Sequence, residues 1–288
     1  EISCSLVGSE MCIRDSTYTD RQSLLSSVSY IQENETWVAS SMMARTYDDL
    51  NRVTGERTYT AVTDGSWQNE TMQEWEWTGW SYSYISMWAS YTWDTAGEFW
   101  CGKEKYERDK DPNTWNDLSY MRYSGWTQET GWIGVSGYEY AYAWNGLQTL
   151  NIQYQGWDHE NNCWRDGTKE EYSYDVYGYR TQLLSSTWDS SVAEWVYAYK
   201  TVSGRDDALR QILTEEWQYD TSLQKWIGSY KQEYAYDDNG NRTLEALYDG
   251  WDTEGDCWRG SYKQEYSYKE NWLSLIHISE PTRLQLIS

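Results

Sequence analysis

The segment that decides the fold is Trp226–Trp258, WIGSYKQEYAYDDNGNRTLEALYDGWDTEGDCW, and the next copy follows at once as WRGSYKQEYSYKEN from Trp258. The second copy alternates in residue type along its whole length. One parity holds the rings and the other the charges: Trp258, Gly260, Tyr262, Gln264, Tyr266 and Tyr268 against Arg259, Ser261, Lys263, Glu265 and Ser267. A period of two is typical of a half-exposed antiparallel strand. We therefore predict strands with one aromatic face and one charged, solvated face.

Turn signals lie at both ends of this unit. In the run Tyr236–Asn241, Asp237 can accept a hydrogen bond from the backbone two residues on, and Asn239-Gly240 supplies positive φ at little cost. The second strand, Arg242–Trp251, leads to a loop closed by Trp251 and Trp258, which we expect to be cross-strand neighbours. Each unit is therefore predicted to be a β-hairpin.

The same aromatic pair recurs along the chain with a spacing of seven residues. The clear copies are Trp93/Trp100, Trp157/Trp164, Trp188/Trp195, Tyr219/Trp226 and Trp251/Trp258. Tyr30/Trp37 keeps the spacing, and Trp67/Trp75 and Trp126/Trp132 are off by one. A fixed period of about 31 residues is the mark of a repeat architecture. Eight units are predicted, with the N-terminal ones irregular.

Glycine precedes the first Trp of the pair in some units and shifts the parity of the apolar residues upstream. One inserted residue in a strand forms a β-bulge, and glycine within a strand often marks one. We predict bulges at Gly156 and Gly250.

The two ends differ in composition from the repeats. Residues 1–16 and 273–288 contain no Trp or Tyr and resemble translated sequencing-adapter read-through, so we set them aside as disordered segments outside the fold. The remaining 17–272 is predicted to be one β-repeat array, irregular over 17–125 and regular over 126–272. We expect the chain to be a fragment of a longer protein.

The segments Tyr236-Asp237-x-x-Gly240-Asn241-Arg242-Thr243 and Tyr174-Asp175-x-x-Gly178-Tyr179-Arg180-Thr181 resemble the YD (tyrosine–aspartate) repeats of Rhs-type surface and toxin-shell proteins. The longer pattern, in which a Trp-Asp pair, a loop and a second Trp follow one another, is similar to that of secreted bacterial repeat proteins. The resemblance implies consecutive β-hairpins, a secreted or cell-surface location and no catalysis within the repeats.

Net charge and the distribution of apolar residues limit the possible partners and fold classes. The net charge of −23 argues against nucleic acid, whose phosphates need a basic face, and no apolar run is long enough to span a membrane as a helix. The fold class is predicted to be all-β, an antiparallel meander of hairpins. Because an aromatic face of this size is seldom left exposed, we expect a curled or spiral sheet, or a barrel-like shell, with the rings inward.

Little in the sequence points to chemistry. Cys101, Cys163 and Cys257 lie too far apart in a linear array for a disulfide, and they lack zinc spacing. His159 sits in a repeat loop as ordinary variation. We predict no catalytic residue and no cofactor.

Two ligand hypotheses stay open. Asp252, Glu254 and Asp256 place oxygen ligands at alternate loop positions and are weak calcium candidates. Rings outside the repeat pattern could stack on glycans: Trp77, Trp80, Trp88 and Trp144. The leading hypothesis is a non-enzymatic structural or adhesive repeat segment of a larger secreted or cell-surface bacterial protein. The alternative is a carbohydrate- or cell-wall-binding module, with a surface glycan or another surface protein as partner.

Overall fold

The computed structural model describes residues 14–79, 83–127, 129–269 and 272–273. Strands make up the regular structure of this part of the chain, and it contains no helix that could cross a membrane. The strands are β1 Arg14–Tyr18, β2 Leu24–Glu33, β3 Thr36–Tyr47, β4 Val53–Ala61, β5 Trp67–Thr78, β6 Tyr84–Asp94, β7 Phe99–Lys110, β8 Asp117–Thr127, β9 Gly131–Tyr142, β10 Gln148–Asp158, β11 Cys163–Tyr174, β12 Arg180–Asp189, β13 Glu194–Arg205, β14 Gln211–Asp220, β15 Lys225–Tyr236, β16 Arg242–Asp252, β17 Cys257–Glu265, β18 Tyr268–Lys269 and β19 Trp272–Leu273.

The predicted fold class is confirmed. Strands β1–β17 belong to one antiparallel meander sheet, and β18 and β19 form a separate two-stranded pair. Eight hairpins run from β2–β3 to β16–β17, and seven of the eight predicted aromatic pairs span one of their loops. The eighth, Trp67/Trp75, lies entirely within β5. Strands also include a few residues of the two terminal segments 1–16 and 273–288: β1 begins at Arg14, and β19 ends at Leu273.

The chain divides into two compact units. Unit 1 comprises 1–139 with 154–165, and unit 2 comprises 140–153 with 166–288. In the described part of unit 1 the registers run from β1 to β9, and in unit 2 they run from β11 to β17; none joins the first strand of a unit to its last. Neither unit therefore closes into a barrel by itself, so the predicted barrel-like shell is wrong for each unit. The curl of the sheet stays a prediction.

The aromatic pairs at the hairpin loops are confirmed as cross-strand neighbours. The paired positions are Trp93 with Trp100, Trp126 with Trp132, Trp188 with Trp195, Tyr219 with Trp226 and Trp251 with Trp258. Two expected pairs are wrong: Trp37 pairs with Gln32 instead of Tyr30, and Trp75 pairs with Trp88 instead of Trp67. The loop between β2 and β3 is too short for the seven-residue spacing, and Trp67 and Trp75 both lie within β5.

A bulge near the start of the second strand of a hairpin is not predicted from the sequence. In β15 the register passes from Gly228 to Tyr230 while the partner advances by one residue, so Ser229 is extra. The same insertion lies three residues after the first Trp of the second strand in seven hairpins: Ser40, Glu70, Lys103, Val135, Ala198, Ser229 and Ser261. A bulge changes which face the following residues occupy.

The prediction that all rings share one face is therefore wrong. Gly260 pairs with Tyr248, and Tyr262 pairs with Leu247, which is on the other side of β16. The loop Trp residues consequently lie on one face, here called the Trp face, together with strand Lys/Glu pairs such as Lys231 and Glu233. Most strand tyrosines beyond the bulge lie on the opposite face, here called the Tyr face.

The predicted glycine bulge is confirmed at Gly250, where the register shifts between Tyr248 and Trp251. The equivalent glycine, Gly125, also forms a bulge with a φ of +51°. Gly156 has a φ of +63°, the same left-handed conformation.

Burial is shallow in both units. Only five of the described apolar side chains are buried: Met72, Ala89, Ile152, Leu183 and Ala246. The paired indoles such as Trp251 and Trp258 are half-buried, mostly by one another. The expectation of a buried aromatic interior is therefore wrong within each unit: rings on both faces of the sheet share their burial between neighbours and solvent.

Candidate functional site

The Trp face is a row of edge-to-face aromatic pairs. Centroids of Trp157 and Trp164 lie 4.9 Å apart with planes at 83°, and those of Trp251 and Trp258 lie 5.3 Å apart at 85°. This geometry directs the positive edge of one ring at the negative face of the other, and each such pair contributes about 0.5–1.5 kcal/mol beyond its area. The rings that dominate the composition are thus engaged in holding hairpins closed.

Glycine two residues after the second Trp provides space for the next repeat. A methyl group at Gly102 would lie 2.5 Å from Cη2 of Trp132, and one at Gly228 would overlap Trp258. Where this position is Tyr197, the next Trp packs on its ring instead, with centroids of Tyr197 and Trp226 5.6 Å apart. Successive repeats therefore interlock through these Trp side chains.

Strand lysines cover the Trp face. Nζ of Lys200 lies 4.8 Å from the ring centroid of Trp217 and 4.7 Å from that of Trp226. Burial between these indoles lowers the pKa of Lys200, and the carboxylate of Glu215 opposes this. Lys231 lies over the Tyr248 ring and pairs with Glu233 at 2.8 Å. The predicted solvated Lys/Glu pairs therefore exist, but they share a face with the rings.

The aspartate after the first loop aromatic has a structural role. Oδ1 of Asp252 accepts hydrogen bonds from the backbone N–H groups of Glu254 at 3.0 Å and Gly255 at 3.1 Å. Equivalent side chains cap their loops in the same way: Asp94, Asp158, Asp189 and Asp220. Hydrogen bonds from the Gly255 and Glu254 amides hold the pKa of the Asp252 carboxyl below its usual range.

Two of the three calcium candidates contact protein groups. Asp252 is occupied by backbone amides and lies 3.8 Å from Arg259, while Asp256 lies 3.7 Å from Lys225. Within the described ranges no group of three or more His, Cys, Asp or Glu side chains could hold a metal ion. The carboxylates of this loop are thus committed to the turn and to neighbouring cations.

The cysteines and the histidine lie apart from any such cluster. Cys101, Cys163 and Cys257 are free thiols, and the last two are exposed. His159 is exposed in its loop.

Three of the four glycan candidates can be placed, and they differ sharply. Trp77 is half-buried and donates from Nε1 to the Val53 carbonyl at 2.7 Å, with Arg52 over its ring. Trp88 is half-buried, donates to Gln73 and packs on Tyr106. Trp80 lies outside the described residues. Trp144 is 96% exposed. Trp144 alone among these three offers a free ring face.

Trp144 belongs to a turn that joins an odd-numbered strand to the next even-numbered one. In each five-residue turn of this kind the first residue donates its N–H to the fifth carbonyl, as in Ala143 to Leu147 at 2.8 Å and Asp175 to Tyr179 at 2.9 Å. The fourth residue has positive φ, +82° at Gly146 and +87° at Gly178. The backbone of these turns is therefore the same from repeat to repeat.

Two successive turns form a groove in unit 2. The cavity has a volume of about 480 Å³. The turn before β10 and the start of β10 contribute Ala143, Trp144, Asn145, Leu147 and Thr149, and the end of β11 and the turn after it contribute Tyr172, Ser173, Tyr174, Asp175 and Val176. The Tyr174 hydroxyl donates to the Gln148 carbonyl at 2.7 Å and ties β11 to β10. Val176 and Tyr177 beside the groove are 93% and 67% exposed. Sequence reasoning identifies Trp144 but misses Val176 and Tyr177.

One titratable side chain of the groove has a strongly shifted pKa. Burial raises the pKa of Tyr172 to about 12, and its hydrogen bond to Glu170 adds to the effect. The phenol is neutral at physiological pH, and its hydroxyl donates to the Glu170 carboxylate.

No protein-family model matches the chain, and no curated protein matches it. Solved structures with similar local geometry include a DUF3836 family protein from Bacteroides vulgatus, with 13% identity, a TM-score of 0.26, and coverage of 31% of this chain and 87% of that one. A porin-like protein from Bacteroides uniformis has 9% identity, a TM-score of 0.23, and coverage of 75% and 86%.

The Photorhabdus luminescens Tc holotoxin pore with TccC3 is a further match, with 10% identity and a TM-score of 0.23. It covers 87% of this chain, which spans 19% of the length of the toxin chain. These neighbours are β-rich, and they include Tc toxin components. Likeness at this level carries no argument about function.

Proposed function

We propose that the chain is a non-enzymatic structural or adhesive segment built from YD-like hairpin repeats. One observation supports this above the others: the side chains that recur in nearly every repeat are already engaged in holding the repeats together. Trp pairs close one end of the hairpins, and aspartate carboxylates cap the loops beside them.

Removing one repeat tests the proposal. Deleting residues 190–220 joins Asp189 to Thr221 and restores a Trp-Asp-loop-Trp sequence closed by Trp188 and Trp226. In a repeat array each unit contacts mainly its neighbours, so the shortened protein should fold with the same strand content and a modestly lower Tm. Circular dichroism and thermal melting measure this. Loss of all folded structure would contradict a modular array.

The non-enzymatic part has its own test. Purified protein is incubated with chromogenic ester, glycoside and peptide substrates, and release of chromophore above the buffer rate would contradict it. A secreted or cell-surface location is part of the proposal and is supported by the resemblance to YD repeats. The full reading frame tests it, since a cytoplasmic protein encoded without any export signal would overturn this part.

Carbohydrate binding is the second candidate function. The exposure of Trp144 favours it, because the structural role of the repeats leaves this ring unused and it lines one groove with the exposed Val176. Exposed apolar patches, unlike single side chains, mark interaction sites. A purely structural segment gives no reason for a bare indole at a turn.

A further inference from the structure

Two consecutive turns differ from the other turns of the repeat array in their second residue. The second residue is aspartate in four of the six five-residue turns that join an odd-numbered to an even-numbered strand: Asp20, Asp49, Asp207 and Asp238. In the other two turns it is Trp144 and Val176. These turns are consecutive, and their backbone hydrogen bonds match those of the others. The substitutions therefore serve no need of the turn itself.

Both abnormal residues are almost fully in water. Trp144 is 96% exposed and Val176 is 93% exposed, with Tyr177 beside them at 67%. An indole left bare costs solubility without stabilising the fold, and contiguous apolar exposure of this kind usually marks an interaction site. The groove of about 480 Å³ runs between these two turns, within the size range of small-molecule sites.

We infer that this groove binds a neutral saccharide, with one sugar ring stacked on Trp144. The inference rests on the second candidate function and names its site and ligand class. The C–H face of a pyranose is apolar and slightly positive, and it complements the negative π-face of an indole. Hydroxyls at the ring edge can then bond to the polar lining provided by Asn145, Thr149 and Ser173.

Charge decides between neutral and anionic ligands. Among the described residues no Lys or Arg lines the groove, and Asp175 is its one carboxylate. The chain as a whole carries −23. A phosphorylated, sulfated or uronic saccharide would be repelled at this position, whereas a neutral hexose or pentose polymer is not.

The groove is preformed. Strands β10 and β11 are joined by the bond from the Tyr174 hydroxyl to the Gln148 carbonyl, and Oδ1 of Asp175 accepts from the amides of Tyr177 and Tyr179 at 2.9 Å. The side chain of Leu147 lies 3.5 Å from the position of a methyl group at Gly178, so the turns are close. A rigid site loses little entropy on binding, and this favours recognition of a ligand that makes few contacts.

The test is calorimetric titration of the full chain with neutral hexasaccharides of glucose, xylose, mannose and N-acetylglucosamine, with saturation-transfer NMR for weak binders. At least one should bind with a Kd of about 1 mM or tighter. Trp144→Ala should weaken that binding tenfold or more, and Trp144→Phe should retain part of it. The matched control, Asp238→Ala, changes the same turn position elsewhere and should bind like the wild type.

The variants separate this inference from the structural proposal. Because Trp144 is exposed, Trp144→Ala should leave the Tm unchanged, so any loss of binding is local. The inference is overturned if none of the four saccharides binds, if Trp144→Ala binds as well as the wild type, or if the chain binds phosphatidylcholine vesicles through Trp144 and no sugar. Absence of saccharide binding removes the second candidate function as well, whereas unchanged binding by Trp144→Ala removes only the site at Trp144. The repeat-deletion test of the first candidate function is unaffected by either outcome.

Discussion

At the scale of single residues, the loop aspartates link stability to pH. The hydroxyl and N–H of Ser222 donate to Asp220, and the N–H of Leu223 adds a further bond, so the pKa of this carboxyl lies below its usual value. A group with a lowered folded-state pKa contributes stability above its unfolded pKa of about 3.9 and loses it as pH falls through the folded value. Asp158, Asp189 and Asp252 shift in the same direction.

We therefore predict that Asp220→Asn melts below the wild type at pH 7 and that this gap in Tm closes as pH falls below about 4. The amide oxygen of Asn still accepts the Ser222 bonds but carries no charge, so the variant removes only the titrating part. Thermal melts across the pH range measure it. A gap that stays constant down to the lowest pH would show that the charge of Asp220 does not matter.

Two glycines in equivalent positions provide a matched pair for the interlocking of repeats. A methyl group at Gly228 would overlap the Trp258 ring, whereas at Gly260 the nearest described side chain is Tyr248 at 3.9 Å. Gly228→Ala should cost about 1–3 kcal/mol through overpacking and weaken the exciton signal of the Trp251/Trp258 pair in circular dichroism. Gly260→Ala should be close to neutral. Equal urea midpoints for the two variants would contradict this interlocking.

At the scale of the strand, the bulge near the start of the second strand of a hairpin sets which rings share a face. Deleting Ser229 would place Tyr230 directly after Gly228 and turn the bulge into a regular ladder, in which Tyr230 still pairs with Glu216 and stays on the Tyr face. We predict that the deletion variant keeps the pairings of β15 and unfolds cooperatively. Ser229→Ala keeps the bulge and loses only the bond from its hydroxyl to the Glu216 carbonyl, costing about 0.5–1.5 kcal/mol. Urea unfolding of both variants measures the difference, and loss of cooperative unfolding in the deletion variant would show that unit 2 requires the bulge itself.

Comparison of sequence and structure at this scale shows where pattern reasoning stops. The hairpins, the Trp251/Trp258 pair and the Asp237 turn follow from short-range chemistry and are predicted correctly. The bulge is missed because its residue has no fixed chemistry: Lys103, Val135 and Ser229 all occupy it. Once one inserted residue is overlooked, parity carried across it assigns every later ring to the wrong face.

Candidate binding residues can be predicted from the sequence only where they differ from the equivalent residues of the other repeats. Trp144 stands out as a ring outside the aromatic pairs, but its exposure depends on Gly146 and the turn backbone, which the spacing of rings does not reveal. Val176 carries no chemical signal by itself. It becomes informative only when the turns are aligned by their hydrogen bonds and aspartate is seen at the same position in the others.

At the scale of the whole chain, stability is spread over many half-buried contacts. With five buried apolar side chains in the described residues, no single cluster can dominate, and aromatic pairs and cation–π contacts such as Lys200 with Trp226 contribute in small increments. Ion pairs with both partners exposed, such as Lys263 with Glu265, are worth about 0–1 kcal/mol each, and most of the others are half-buried. The stability of such a chain should therefore respond to its total charge more than to any one pair.

Net charge predicts the effect of salt. The chain has 46 Asp and Glu against 23 Lys and Arg, so repulsion between unpaired carboxylates outweighs the attraction in weak surface pairs such as Lys263 with Glu265. Salt shortens the range of both the repulsion and the attraction to about 8 Å at physiological ionic strength. Because repulsion is the larger of the two, screening removes more repulsion than attraction. We predict that Tm rises when sodium chloride is added to a low-salt buffer. Calorimetry at constant pH measures this, with sodium perchlorate replacing chloride to separate screening from specific anion effects. A Tm that falls with salt would mean that the ion pairs of the Trp face contribute more to the fold than their exposure implies.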